Sequence, residues 1–162
     1  MTAAPAAVGK LVVVGVGLIG GSFALALKAA GAVGEVVGVG RSRANLDAAL
    51  AHGVGDRVLT LGDAWTRELA GADVALIATP VGELPALFAA MAPALGPATL
   101  VTDAGSTKQD VIAAARAAFR GPALARFVPA HPIAGTEHSG AAAAFATLYC
   151  DRNVVLTPVA ET

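Results

Sequence analysis

With 162 residues, 56% of them hydrophobic, and a mean hydropathy of +0.68, the chain has enough apolar material to bury a core, which excludes a disordered chain. A net charge of −1 supplies no basic face, so no nucleic-acid partner is expected. The single cysteine, Cys150, excludes a disulfide framework and a cysteine-rich metal site, and no metal is expected. The plain reading of Cys150 is a small buried apolar residue. No apolar run reaches the roughly 18 residues of a membrane helix, so no membrane partner is expected. The opening MTAAPAAVGK lacks a basic stretch ahead of an apolar core and does not read as a signal peptide. A soluble cytoplasmic protein is the default expectation.

Residues 1–9 read as a flexible leader and 10–162 as one domain. Lys10 to Val14 is expected as the first strand. Gly15-Val16-Gly17-Leu18-Ile19-Gly20 follows, then a helix from about Leu18 to Ala30. Strand, glycine turn and helix are the setting in which G-x-G-x-x-G signals dinucleotide binding. Gly15 permits the tight turn, Gly17 lets backbone approach a pyrophosphate, and Gly20 lets helix and strand pack closely. The helix end, at Leu18 and Ile19, offers unpaired N–H groups and a positive dipole end.

Glu35 to Val39 is the second expected strand and Ala44 to His52 the second helix, with Gly53 placed to cap it. Arg57 to Thr60 is expected as a short strand, and Asp63 to Ala70 as a short helix with Asp63 as N-cap. The buried strand Asp73 to Ala78 ends in Thr79-Pro80. A helix spans about Glu83 to Ala90. The strand Ala98 to Thr102 runs into Asp103-Ala104-Gly105-Ser106-Thr107-Lys108 and a helix to about Arg120. Arg126 to Val128 is a strand leading to His131. Ala141 to Leu148 is expected to be helical, and Asn153 to Thr157 a last strand.

Strands alternate with helices, and the strands are continuous apolar runs. That combination predicts an α/β, Rossmann-type, doubly wound and mostly parallel sheet with helices on both faces. Ligands of such sheets bind outside the carboxyl ends of the strands. The polar loops 41–43, 79–80, 103–108 and 131–137 all follow strands and are expected to converge there. Thr79, Pro80 and Asp103 join the cofactor candidates on this ground, and Asp103 is also a candidate acceptor for loop N–H groups.

An acid that prefers NAD is expected about 20 residues past the glycines. Gly40 stands there instead, followed by Arg41, Ser42 and Arg43. Two arginines and a hydroxyl suit a 2′-phosphate, so NADP is the preferred cofactor and NAD the alternative. The competing reading makes the arginines solvated surface residues. His131, held extended by Pro132, has a side chain that can accept a proton from a substrate hydroxyl as hydride departs. His52 and His138 read as ordinary loop histidines. Ser106 reads plainly as the N-cap of the next helix and more sharply as a hydrogen-bond partner of the substrate hydroxyl or the residue that orients His131, and both roles can hold together. Thr136 and Glu137 are candidates for meeting the substrate, against a plain reading as loop polar residues.

Five segments together resemble the prephenate dehydrogenase family, which includes the arogenate and cyclohexadienyl dehydrogenases of tyrosine biosynthesis. They are GVGLIGGSFALALK at 15–28, ATPV at 78–81, TDAGSTK at 102–108, HPIAGTEHSG at 131–140 and NVVLTP at 153–158. The resemblance implies oxidative decarboxylation of prephenate or arogenate, with hydride passing to the nicotinamide. It implies that His131 is catalytic and hydrogen-bonds the substrate ring hydroxyl, with Ser106 supporting it. It places Thr136 and Glu137 in a substrate-side loop, and Gly15, Gly17 and Gly20 in the cofactor turn. The family also implies a helical C-terminal domain that forms a homodimer, and this chain is expected to lack it. Two other readings stay open: a nucleotide-binding sensor without chemistry, and a dehydrogenase for another small acid. Ser106 with His131 argues against the first, and HPIAGTE against the second.

Overall fold

The computed structural model describes residues 7–162. Most of the expected leader lies outside the described residues. Its last two positions belong to the first strand, β1 (Val8–Val14), because Val8 pairs with Val33 and donates its N–H to Ala32. The strands β2 (Val33–Gly40), β3 (Arg57–Thr60), β4 (Val74–Ile77), β5 (Leu100–Asp103) and β6 (Phe127–Val128) join it in one sheet. The order is β3-β2-β1-β4-β5-β6 with every pair parallel, so the winding reverses between β1 and β4.

The strands read as unbroken apolar runs because both faces of the sheet are buried. Val12, Val14, Val37, Val39, Ala75 and Ile77 face one core. Leu11, Val13, Val36 and Leu76 face the other. Helices α1 (Leu18–Ala29) and α2 (Arg43–Ala51) cover the second face. The first is covered by a 3-10 turn at Trp65–Gly71 and by α3 (Leu84–Met91) and α4 (Lys108–Ala118). Phe88, Phe119 and Phe127 stack there with ring centroids 5.0–5.9 Å apart, joining α3, the end of α4 and β6. A short helix, α5 (Pro122–Ala125), leads into β6.

Three expectations need correction. Asp63 does not cap a helix: its carboxylate accepts the N–H and hydroxyl of Thr60, and the turn that follows is 3-10, begun by Ala64. Ala141 to Leu148 is not helical beyond a 3-10 turn at Ala141–Ala143. Tertiary partners claim its backbone instead: Asn45 Oδ1 takes the N–H of Ala141 (2.8 Å), Ser22 Oγ that of Phe145 (3.0 Å), and His52 Nε2 meets the carbonyl of Ala144 (2.6 Å). Alanine's helix preference, under 1 kcal/mol per residue, is overridden by these bonds. Cys150 is exposed rather than buried, since the turn around it lies on the surface.

The last strand, β8 (Val154–Leu156), does not extend the main sheet. It pairs antiparallel with β7 (Ala130–Pro132) in a separate two-stranded ribbon. Among the described residues, no helix is long and apolar enough to cross a membrane.

Candidate functional site

The turn after β1 is built from close backbone contacts. Gly15 has φ +99°, and a Cβ there would stand 2.6 Å from the carbonyl oxygen of Ala78. Gly20 packs α1 onto β1 and β4, since a Cβ would collide with the Gly15 carbonyl and the Val13 side chain. Gly17 differs: nothing stands within 4 Å of where its Cβ would be. It begins α1, whose first turn carries no acidic side chain. The positive end of that helix dipole is therefore not neutralised within its own first turn.

A cleft of about 240 Å³ opens at this turn, at the carboxyl ends of β1, β2 and β4. Gly15, Gly17, Gly40, Arg41, Ser42, Asn45, Thr79, Pro80 and Glu83 line it. Arg41 reaches across the mouth to Glu83, Nη1 to Oε1 3.0 Å. Ser42 caps α2 by accepting the N–H of Asn45 at 3.3 Å. Arg43, the first residue of α2, pairs with Asp47 one turn on (2.7 Å) and is not among the lining residues. Asn45, with no sequence signal to single it out, donates from Nδ2 to the carbonyl of Val16 at 2.9 Å while holding Ala141 by its oxygen.

A second cleft, of about 420 Å³, adjoins the first and shares Ala78, Thr79 and Pro80 with it. Ile19, Val81, Ala104, Gly105, Ser106, His131, Pro132 and Ala134 complete its wall. Ser106 and His131, 25 residues apart in sequence, thus meet on one surface. The residue ahead of α4 is Thr107, which makes no side-chain cap, so the capping role considered for Ser106 does not arise. His131 sits in β7, opposite Val155 of β8; bonds from Ile133 N–H to Asn153 and from Thr157 N–H to Pro129 flank the ladder. The Thr79 hydroxyl, on the seam between the clefts, is buried and has no hydrogen-bond partner among the described residues.

Asp103 is 1% exposed and holds the second cleft together. Its Oδ2 accepts the N–H of Gly105 (2.8 Å) and the ammonium of Lys108 (2.5 Å), and its Oδ1 accepts the N–H of Ala130 (3.1 Å). Lys108 also donates to the carbonyl of Ala130 at 2.7 Å. The carboxylate fills the acceptor role and faces its own loops. Lys108 was not among the sequence candidates, although the Asp103 to Lys108 spacing across a loop-to-helix step is its signal.

Thr136 and Glu137 are exposed and do not line either cleft. Thr136 Oγ1 accepts the N–H of His138, and Glu137 lies 3.3 Å from the His138 ring. Tyr149, half-buried, donates its hydroxyl to the carbonyl of Ile19 at 2.8 Å, and burial pushes its phenol up to about 12.

Residues 23–162 match the family described as prephenate dehydrogenase, nucleotide-binding domain. The cyclohexadienyl dehydrogenase of Zymomonas mobilis is 38% identical over 152 residues, 94% of this chain and 50% of that protein. The crystal structure of prephenate dehydrogenase from A. aeolicus in complex with hydroxyphenyl propionate and NAD+ has a TM-score of 0.85 at 30% identity, over 95% of this chain and 52% of that one. Synechocystis arogenate dehydrogenase has a TM-score of 0.81 at 30% identity, over 94% and 51%. The chain spans about half the length of each of these relatives. A match over residues 23–162 and a shared parallel sheet make this chain a member of the prephenate dehydrogenase family, corresponding to its nucleotide-binding domain.

Proposed function

We propose that this chain is the cofactor-binding half of a dehydrogenase that oxidatively decarboxylates prephenate or arogenate, with NADP preferred over NAD. The observation that carries the reading is the adjacency of the two clefts. One is formed by the glycine turn; the other presents Ser106 and His131; Thr79 and Pro80 belong to both. A dinucleotide laid across the shared wall joins them.

The residues present fit such a group. The space beside Gly17 is open where a pyrophosphate needs close backbone approach. The unpartnered Thr79 hydroxyl offers a hydrogen bond at the seam, where a buried polar group without a partner costs about 1–3 kcal/mol. Arg41 and Ser42 stand at the cleft end expected for the ribose, and Arg43 lies one residue on. When bound, the nicotinamide supplies the hydride acceptor. His131 accepts the hydrogen bond, and then the proton, of the substrate hydroxyl as hydride leaves the carbon that bears it, and it returns the proton to the phenolate that loss of CO2 creates. Ser106 orients that hydroxyl. Thr136 and Glu137 are assigned to the substrate side, on the loop that continues from the His131 strand. Prephenate and arogenate both carry the ring hydroxyl and carboxylate that this chemistry uses. The solved relatives named for each support either substrate.

Calorimetric titration with NADP+ and NAD+ tests the reading. Tighter NADP+ binding that is lost in the Arg41→Ala/Arg43→Ala variant is the expected result. Tighter NAD+ binding overturns the cofactor preference, and no binding of either overturns the dinucleotide reading.

A further inference from the structure

The reading above assigns the two arginines beyond β2 to a 2′-phosphate, yet neither arginine is unpaired. Arg43 is matched by Asp47, and Arg41 is matched by Glu83. The second pair is the informative one because both partners line the cleft. Glu83 ends the 3-10 turn Val81–Glu83, just past β4, so it comes from the far side of the sheet reversal. Its side chain is 27% exposed, against 72% for Arg41. The carboxylate is thus the less exposed of the two, and the guanidinium has the more solvent around it.

We propose that Glu83 is a specificity-determining residue: by holding Arg41 across the cleft mouth, it restrains the preference for a 2′-phosphorylated dinucleotide. The proposal rests on the dinucleotide reading of the cleft. A phosphomonoester carries about −1.5 to −2 charges at neutral pH and recruits arginine through paired N–H donors. To recruit Arg41 it must displace a carboxylate that already occupies Nη1, and it must approach that carboxylate's own negative charge. A ribose hydroxyl is neutral and meets neither obstacle. The charges of Arg41, Arg43, Glu83 and Asp47 cancel, so the mouth favours a phosphate far less than its two arginines suggest.

The test is a calorimetric double-mutant cycle on Glu83→Gln and Arg41→Ala, titrated with NADP+, NAD+ and 2′,5′-ADP, with thermal denaturation to verify folding. Glutamine keeps the shape and removes the charge. Glu83→Gln is expected to tighten NADP+ and 2′,5′-ADP by about three- to tenfold at low salt, as suits a partly exposed pair. NAD+, which lacks the 2′-phosphate, should gain clearly less, and the difference between the two cofactors should vanish in the Arg41→Ala background; an equal gain for NAD+ overturns the proposal. Unchanged NADP+ affinity in Glu83→Gln overturns the proposal. So does a difference that survives Arg41→Ala, because the carboxylate then acts without Arg41. Weakened NAD+ binding overturns it as well, since Glu83 would then be a ligand of the ribose hydroxyls. If the double Arg41→Ala/Arg43→Ala variant binds NADP+ as the parent does, the 2′-phosphate reading itself fails, whatever Glu83 does.

Discussion

The role proposed for His131 rests on how its side chain is mounted. It is half-buried, sits on the two-stranded ribbon of β7 and β8, and turns toward the cleft that Ser106 also lines. General-base assistance by a positioned side chain contributes about 10²- to 10⁴-fold. In a protein carrying this chain that turns over prephenate or arogenate, His131→Asn should lower kcat within that range while cofactor Kd stays the same. Steady-state and binding measurements side by side check the split. Weakened cofactor binding with full kcat would place His131 on the nucleotide instead. At this scale the sequence brought out His131 and Ser106 as candidates, and the fold sets both on the wall of one cleft, His131 from within β7 rather than from a loop. Glu83 and Asn45 escaped because their importance comes from partners 42 and 29 residues away, Arg41 and Val16, which no local pattern announces.

Among the elements, β1, its glycine turn and α1 form the most constrained unit. Gly20→Ala would press a methyl against the Gly15 carbonyl, 2.9 Å from Val13 Cγ1 and 3.1 Å from the Ala78 side chain. Overpacking of this kind costs about 1–3 kcal/mol. The variant should melt lower and bind nucleotide poorly. Gly17→Ala, whose methyl meets nothing within 4 Å, should melt like the parent yet lose affinity, because the methyl stands in the open approach to the cleft. Thermal denaturation and calorimetry on the pair separate a packing glycine from an approach glycine. This unit was legible because local pattern and tertiary contact agree there. The stretch 141–148 was misread for the opposite reason. Its alanines favour helix, but Asn45, Ser22 and His52 take its backbone groups, and those partners lie about 90 to 120 residues upstream. The β7–β8 ribbon was half legible: Asn153 to Thr157 reads as a strand, whereas Ala130–Pro132, with a histidine between alanine and proline, reads as the loop after β6 and shows as a strand only through its pairing with β8.

Over the whole molecule, the two ends of the strands divide the labour. The clefts lie at the carboxyl ends, whereas the opposite ends carry a charge network that joins four elements. Glu68 on the 3-10 turn meets Lys10 of β1 (2.6 Å) and Arg57 of β3 (2.8 Å), and Arg57 also meets Glu35 of β2 (2.9 Å). Hydrogen bonding to Arg57, and then to Lys10, holds the Glu68 carboxyl down to about 2 against an ordinary 4.5. A folded-state value below the unfolded one stabilises the protein above pH 4.5, and this stabilisation is lost as the pH falls toward 2. Partial exposure limits the effect to about 1 kcal/mol. The melting temperature should therefore drop between pH 4.5 and 2, and less steeply in Glu68→Gln. Equal slopes in the two proteins would remove the network from the acid response.

Asp103 has a consequence for motion. One carboxylate anchors the amide of Gly105, the amide of Ala130 and the ammonium of Lys108. Ser106 and His131 each neighbour one of those amides, so thermal displacement of one loop carries the other with it. The spacing between Ser106 and His131 is thereby tied to one shared anchor, as two jaws keep their alignment when they share a hinge pin.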